Sequence, residues 1–218
     1  MRFRIDLKIF LFLILFYLTK QIEIYGMIMF FAFIHELGHL TAGLLLGMKP
    51  EKLEIMPFGI SISFKIKPKD YNNKIKKGNV LEIKKIIVAI AGPLTNLIII
   101  LITSKLNIDI TKGLNIIYTN LLIMIFNLIP IYPLDGGRIL KGILHINFGK
   151  RVAEKYIQNI SFIVTMLITI LSSILILYIH NIAIILIDAY LWYLMIKENK
   201  KYKRREYIYK KILENKTI

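Results

Sequence analysis

Apolar residues along this chain come in runs too long for the single stripe of a soluble helix. Six such runs lie at roughly 5–22, 24–47, 84–104, 114–134, 156–178 and 182–197. Most hold about 20 apolar residues, enough for a helix crossing a hydrocarbon core of roughly 30 Å. The first is interrupted near its end by Lys20 and Glu23, and the sixth is short and carries Asp188. Between the second and third runs the period changes. Ile60, Ile62, Phe64 and Ile66 alternate with Ser61, Ser63, Lys65 and Lys67, the period of a strand with one buried face. The turn signal "MPFG" precedes it, and Lys52 to Ile55 can form a partner strand. The pattern predicts an all-α polytopic membrane protein of six transmembrane helices with a small β-hairpin.

Composition supports this class. The chain has 218 residues, 56% of them hydrophobic, a mean hydropathy of +0.60 and no cysteine. Disulfide frameworks and thiol chemistry are excluded. The net charge of +16 would suggest nucleic acid in a soluble protein, but here the basic residues sit between the apolar runs. With the N-terminus placed inside, 27 of the 30 Lys and Arg fall on the inner side and 3 on the outer. That asymmetry predicts both termini and the hairpin on the cytoplasmic face. Arg2, Arg4 and Lys8 before an apolar stretch imitate a signal peptide, but no small-residue cleavage site follows, so an uncleaved first helix is expected. The expected organisation is one membrane domain over 1–197 and a basic tail over 198–218. The tail reads as an anchor on anionic lipid, with no nucleic-acid partner.

The candidate chemistry lies within the second run, at "HELGH" over residues 35–39. Residues four apart share one face of a helix, so His35 and His39 can reach one ion. Glu36 beside them is placed to take a proton from a zinc-bound water. Two imidazoles and a carboxylate suit zinc and leave a position open for water. Ionisable groups at this depth of a membrane span are costly and mark function. Of the possible third ligands, His145 lies beyond the fourth run and His180 in the outer turn. Asp135, in "FNLIPIYPLDGGRI", ends a run pointing the same way as the second and reaches similar depth. Pro130 and Pro133 break the helix, and Gly136 and Gly137 let the chain turn. A helix N-cap is the competing role for Asp135.

"HELGH", "AGPLTN" and "NLIPIYPLDGG", taken together over about residues 24–145, resemble the site-2 proteases, the zinc metalloproteases of intramembrane proteolysis. The resemblance implies one zinc ion held by His35, His39 and Asp135, with Glu36 as general base. It implies a catalytic role for Asn127, which orients substrate or stabilises the oxyanion. Gly92, Pro93 and Asn96 match a segment packed near the site, with Asn96 near substrate. "MPFG" after the second run and "PIYPLDGG" are most like the sporulation branch, the stage IV sporulation protein FB type. The segment from 48 to 84 is too short for the PDZ domain of other branches, and the tail is too short for a CBS domain. The resemblance implies regulated cleavage of a membrane-associated pro-sigma factor and small inhibitory membrane proteins as partners. The location would be the bacterial cell membrane or the membrane surrounding a forespore. The strand carrying Ile60, Ile62 and Phe64 can hold the substrate extended by β-addition. The competing readings are a site-2 protease of another signalling pathway and a non-proteolytic metal-binding membrane protein or transporter.

Overall fold

The structure, a computed structural model, describes residues 2–5, 7–18, 20–56, 59–65, 75–106, 110–179 and 182–214. It forms two compact units, Met1–Leu128 and Ile129–Ile218.

The first unit holds strand β1 (Arg2–Ile5), helices α1 (Lys8–Leu18) and α2 (Ile22–Leu45), strands β2 (Lys49–Met56) and β3 (Gly59–Lys65), and helices α3 (Ile75–Lys105) and α4 (Ile110–Leu128). On α2, Tyr25, Ala32, His35, His39 and Gly43 are buried at helical spacing. This stripe lies against α3 and α4, where Phe31, Ala32 and Ile123 form a core with Met27, Ile34, Ile99 and Ile116. The stop of α2 is written in the sequence. Gly47 takes φ +72°, its N–H bonds to Leu44 O at 2.9 Å, and Met48 N–H bonds to Gly43 O at 2.9 Å. Glycine serves here because a side chain at positive φ is strained. Lys84 of α3 adds a 2.8 Å hydrogen bond to Leu46 O, a cation on the negative end of α2.

The expected hairpin is present. β2 and β3 pair antiparallel, Leu53 opposite Ile62 and Met56 opposite Gly59. The alternation holds over the described part, with Ile62 buried, Phe64 half-buried, and Ser63 and Lys65 exposed. The Phe64 ring lies against Gly43 of α2. Ile66 and Lys67 fall outside the described residues, as does His180. A third strand was not expected: β1 pairs parallel with β2, Arg2 opposite Lys52 and Ile5 opposite Ile55. The sheet order is β1-β2-β3, so β3 is an edge.

The second unit contains α5 (Asp135–Phe148), α6 (Lys150–Ile179) and α7 (Ile182–Glu214). Ala153, Ile157, Ser161 and Thr165 make the buried stripe of α6, and Leu191, Leu194 and Met195 that of α7. Glu154 of α6 lies 3.8 Å from Lys141 of α5 and 3.6 Å from Arg205 of α7, tying the three helices together.

Three of the described helices are long and apolar enough to cross a membrane: Ile22–Leu45, Asn79–Lys105 and Lys150–Tyr178. The expected first span is shortened to the 11 residues of α1, about 16 Å of helix: Ile5 belongs to the sheet, and Lys20 takes φ 57° beyond the other end. The fourth run ends at Leu128, not 134, because Pro130 and Pro133 withhold two backbone donors. α5 lies in a segment with no predicted helix, and α7 runs without a break through 197.

Candidate metal centre

His35 and His39 sit one turn apart on the buried face of α2 and are 3% and 2% exposed. Each ring is held by α3. His35 Nδ1 is 2.5 Å from Asn96 Oδ1, and His39 Nδ1 is 2.6 Å from Val88 O. Both partners are acceptors, so both Nδ1 atoms carry the ring proton, and in the neutral rings both Nε2 atoms carry a lone pair. Those two Nε2 atoms face each other at 3.1 Å. With both rings neutral the two lone pairs converge on one point, an arrangement that a single cation can bridge.

Asn96 is fully buried, 0% exposed. Its Nδ2 donates to Asn120 Oδ1 at 3.0 Å, and Asn120 Nδ2 donates to Ile116 O at 2.9 Å. The relay from α4 through α3 to α2 fixes the amide orientation of Asn96, and with it the tautomer of His35. Val88, Gly92 and Asn96 are spaced four apart and form one face of α3. A Cβ at Gly92 would overlap the imidazole atoms His39 Cε1, His39 Nε2 and His35 Nε2. Glycine there leaves the room that the metal-binding edge of both rings needs. Gly38 likewise lets α3 approach closely, since a Cβ would stand 2.9 Å from Ala91 O.

Glu36 follows His35 on α2 and is half-buried. Asn127 lies near the end of α4, half-buried, with its Nδ2 donating to Ile123 O at 3.0 Å. Ile62 and Phe64 turn toward α2. Ile60 has its backbone in β3, and its side chain is outside the description.

In the second unit, Asp135 is the first residue of α5 and is 3% exposed. Leu134 occupies the N-cap position, so Asp135 is not the cap. Arg138, one turn on, reaches it at 3.5 Å. The turn before it is tightly built. Leu134 N–H bonds to Ile131 O at 2.8 Å, Tyr132 N–H bonds to Ser161 Oγ at 3.0 Å, and a Cβ at Gly137 would press within 2.5–2.6 Å of the Ile131–Tyr132 peptide. A buried carboxylate on a rigid helix start is a competent hard ligand. His145 lies further along α5 and is half-buried.

The sequence reading missed Asn120 and the Val88 carbonyl. Asn120 stands seven residues before Asn127, so both fall on one face of α4, a polar repeat that flags it. A backbone carbonyl leaves no mark in the sequence.

A helix-borne imidazole pair with an adjacent glutamate, and a buried aspartate after a proline-ended helix, are the features that the resemblance to the site-2 proteases implies. A model described as Peptidase family M50 matches residues 105–171, the part carrying Asn127 and Asp135. A zinc metalloprotease of Methanocaldococcus jannaschii is 35% identical over 136 residues, 58% of this chain and 36% of the relative. The chain thus spans about a third of the length of that relative. A solved site-2 protease from Methanocaldococcus jannaschii superposes with a TM-score of 0.62 at 25% identity, covering 89% of this chain and 88% of that one. The fold is that of a site-2 protease, and all three likenesses support placement in peptidase family M50.

Proposed function

We propose that this chain is a zinc metalloendopeptidase that hydrolyses a peptide bond of a membrane-associated protein. The observation that carries the reading is the imidazole pair, whose Nδ1 donors are both committed to α3 and whose Nε2 lone pairs converge. His35, His39 and Asp135 would hold one zinc ion, a donor set of two neutral nitrogens and one carboxylate that suits it. Bound zinc polarises a carbonyl and makes water acidic enough to attack at neutral pH. Glu36 takes the proton from the attacking water and returns it to the leaving amine. Asn96 acts on His35 and so orients a ligand; its buried amide supports that role over substrate contact. Asn127 offers an amide to the scissile carbonyl. The β3 backbone from Ile60 through Ile62 to Phe64 offers its open edge to an extended substrate, while Ile62 and Phe64 keep the strand seated on α2.

A pro-sigma factor in a sporulating bacterium is the substrate we favour, with small membrane proteins as inhibitors. "MPFG" and "PIYPLDGG" support it. The 27 to 3 distribution of basic residues supports a cytoplasmic opening of the site and both termini inside.

The test is co-expression with a membrane-tethered pro-sigma substrate, with zinc measured in the purified protein. Glu36→Gln should keep zinc and lose cleavage by a factor of at least about 100. Asp135→Ala should lose both, and His145→Ala neither. Cleavage by the Gln variant, or zinc loss from His145→Ala but not Asp135→Ala, refutes the assignment. Normal cleavage of an unrelated membrane substrate, with the pro-sigma factor untouched, refutes the sporulation role alone.

A further inference from the structure

The second unit carries a polar site built from residues that have no role assigned above. Asp188 is the seventh residue of α7, about 9 Å from the helix start. It meets α6 at Thr169, ten residues before the end of that helix, about 15 Å in. Trp192 Nε1 donates to Thr169 Oγ1 at 2.8 Å, and Thr169 Oγ1 reaches Asp188 Oδ1 at 3.0 Å and Oδ2 at 3.2 Å. The Thr169 hydroxyl has one hydrogen and a second acceptor within range, Thr165 O at 3.0 Å. Asp188 therefore receives at most one hydrogen bond from this relay, although a carboxylate has about four acceptor sites. No Lys, Arg or His forms an ion pair with it among the described residues.

The surroundings are apolar and open. Phe162, Met166 and Ile170 on α6 and Ile185, Tyr193 and Ile196 on α7 are exposed. Ala189 and Ser173, beside Asp188 and Thr169, are exposed as well. The Phe162–Trp192 edge contact, at 6.0 Å between ring centroids, closes one end of the patch. Thr169 lies within the candidate span Lys150–Tyr178, and hydrocarbon beside that span supplies no water to a carboxylate, so the remaining acceptor sites of Asp188 call for donors from protein. An ammonium or guanidinium brings several donors and the opposite charge. Ala189 lets a helix backbone come close.

We propose that the α6–α7 face at Asp188 is an intramembrane docking site for a partner transmembrane helix carrying a Lys or Arg at mid-span. Asp188 pairs with that cation, Thr169 and Trp192 hold the carboxylate in place, and the exposed apolar residues of the two helices pack beside it. The site does not depend on the zinc chemistry.

The test reconstitutes the full chain in phosphatidylcholine vesicles with fluorescent polyleucine helical peptides. The peptides carry Lys, Gln or Leu at the centre, and association is read by energy transfer. The Lys peptide should bind the wild type about tenfold more tightly than the Leu peptide, within the range measured for polar contacts between membrane helices. Asp188→Asn retains an acceptor for Thr169 and should erase that preference. Asp188→Glu should retain it. Equal binding of the Lys and Leu peptides, a Gln peptide as tight as the Lys one, or a Lys preference surviving in Asp188→Asn overturns the proposal.

Discussion

Asn96 is one buried amide with two obligations, accepting from His35 and donating to Asn120. Substitution by Leu removes both and leaves the His35 ring free to turn or change tautomer. Loss of such a partner typically weakens metal binding 10–100-fold, so chelator competition on Asn96→Leu should show a loss of about that size. Asn96→Asp still accepts from His35 and should lose less. Unchanged zinc affinity in Asn96→Leu would show that α3 does not hold the ring. Gly92→Ala should abolish binding more completely, because its methyl would occupy the ring edges themselves. At this scale the sequence was informative where chemistry and spacing suffice. The i, i+4 histidines and Glu36 are legible because helix geometry alone brings them to one side. The partners are not, because Asn96 lies 61 residues from His35, and only the packing of α3 on α2 makes them neighbours.

β3 shows what an element can do that its residues do not announce. It is an edge strand by virtue of β1 adding to the far side of β2, and its backbone groups on the outer side have no strand partner among the described residues. Along an antiparallel strand these groups face alternately inward and outward. A proline scan from Ser61 to Phe64 should therefore split in two. Proline at outward positions should spare expression and zinc while lowering cleavage; proline at inward positions should disturb the pairing with β2 and lower expression. A uniform response along the scan would mean that substrate is not held by this edge. The period-two alternation made β3 readable. α5 was hidden by Gly136, Gly137 and Gly142, which argue against a helix, although Ile139, Leu140, Ile143 and Leu144 mark an apolar face. Pro130 and Pro133 were read as the end of one helix, and they also set the start of the next.

For the molecule as a whole, the topology proposed above rests on the placement of the basic residues. A reporter fused after Lys112 should appear outside, and one fused at Ile218 inside; the reverse would place the site on the other face of the membrane. The pairing of β1 with β2 requires Arg2–Ile5 and Lys52–Ile55 to share one side of the membrane, whichever side that is. The sequence by itself determined the membrane class, the lopsided placement of basic residues, the hairpin, and the candidate chemistry of His35, Glu36, His39 and Asp135. All of these rest on composition or on local period, and local geometry reads them out without tertiary contacts. Tertiary structure alone decided which groups fix the imidazoles, that residues 2–5 join the sheet, and that Asp188 meets Thr169 and Trp192. Each of these joins positions far apart in the chain, and no periodicity encodes which distant side chain, carbonyl or strand a packed helix will meet.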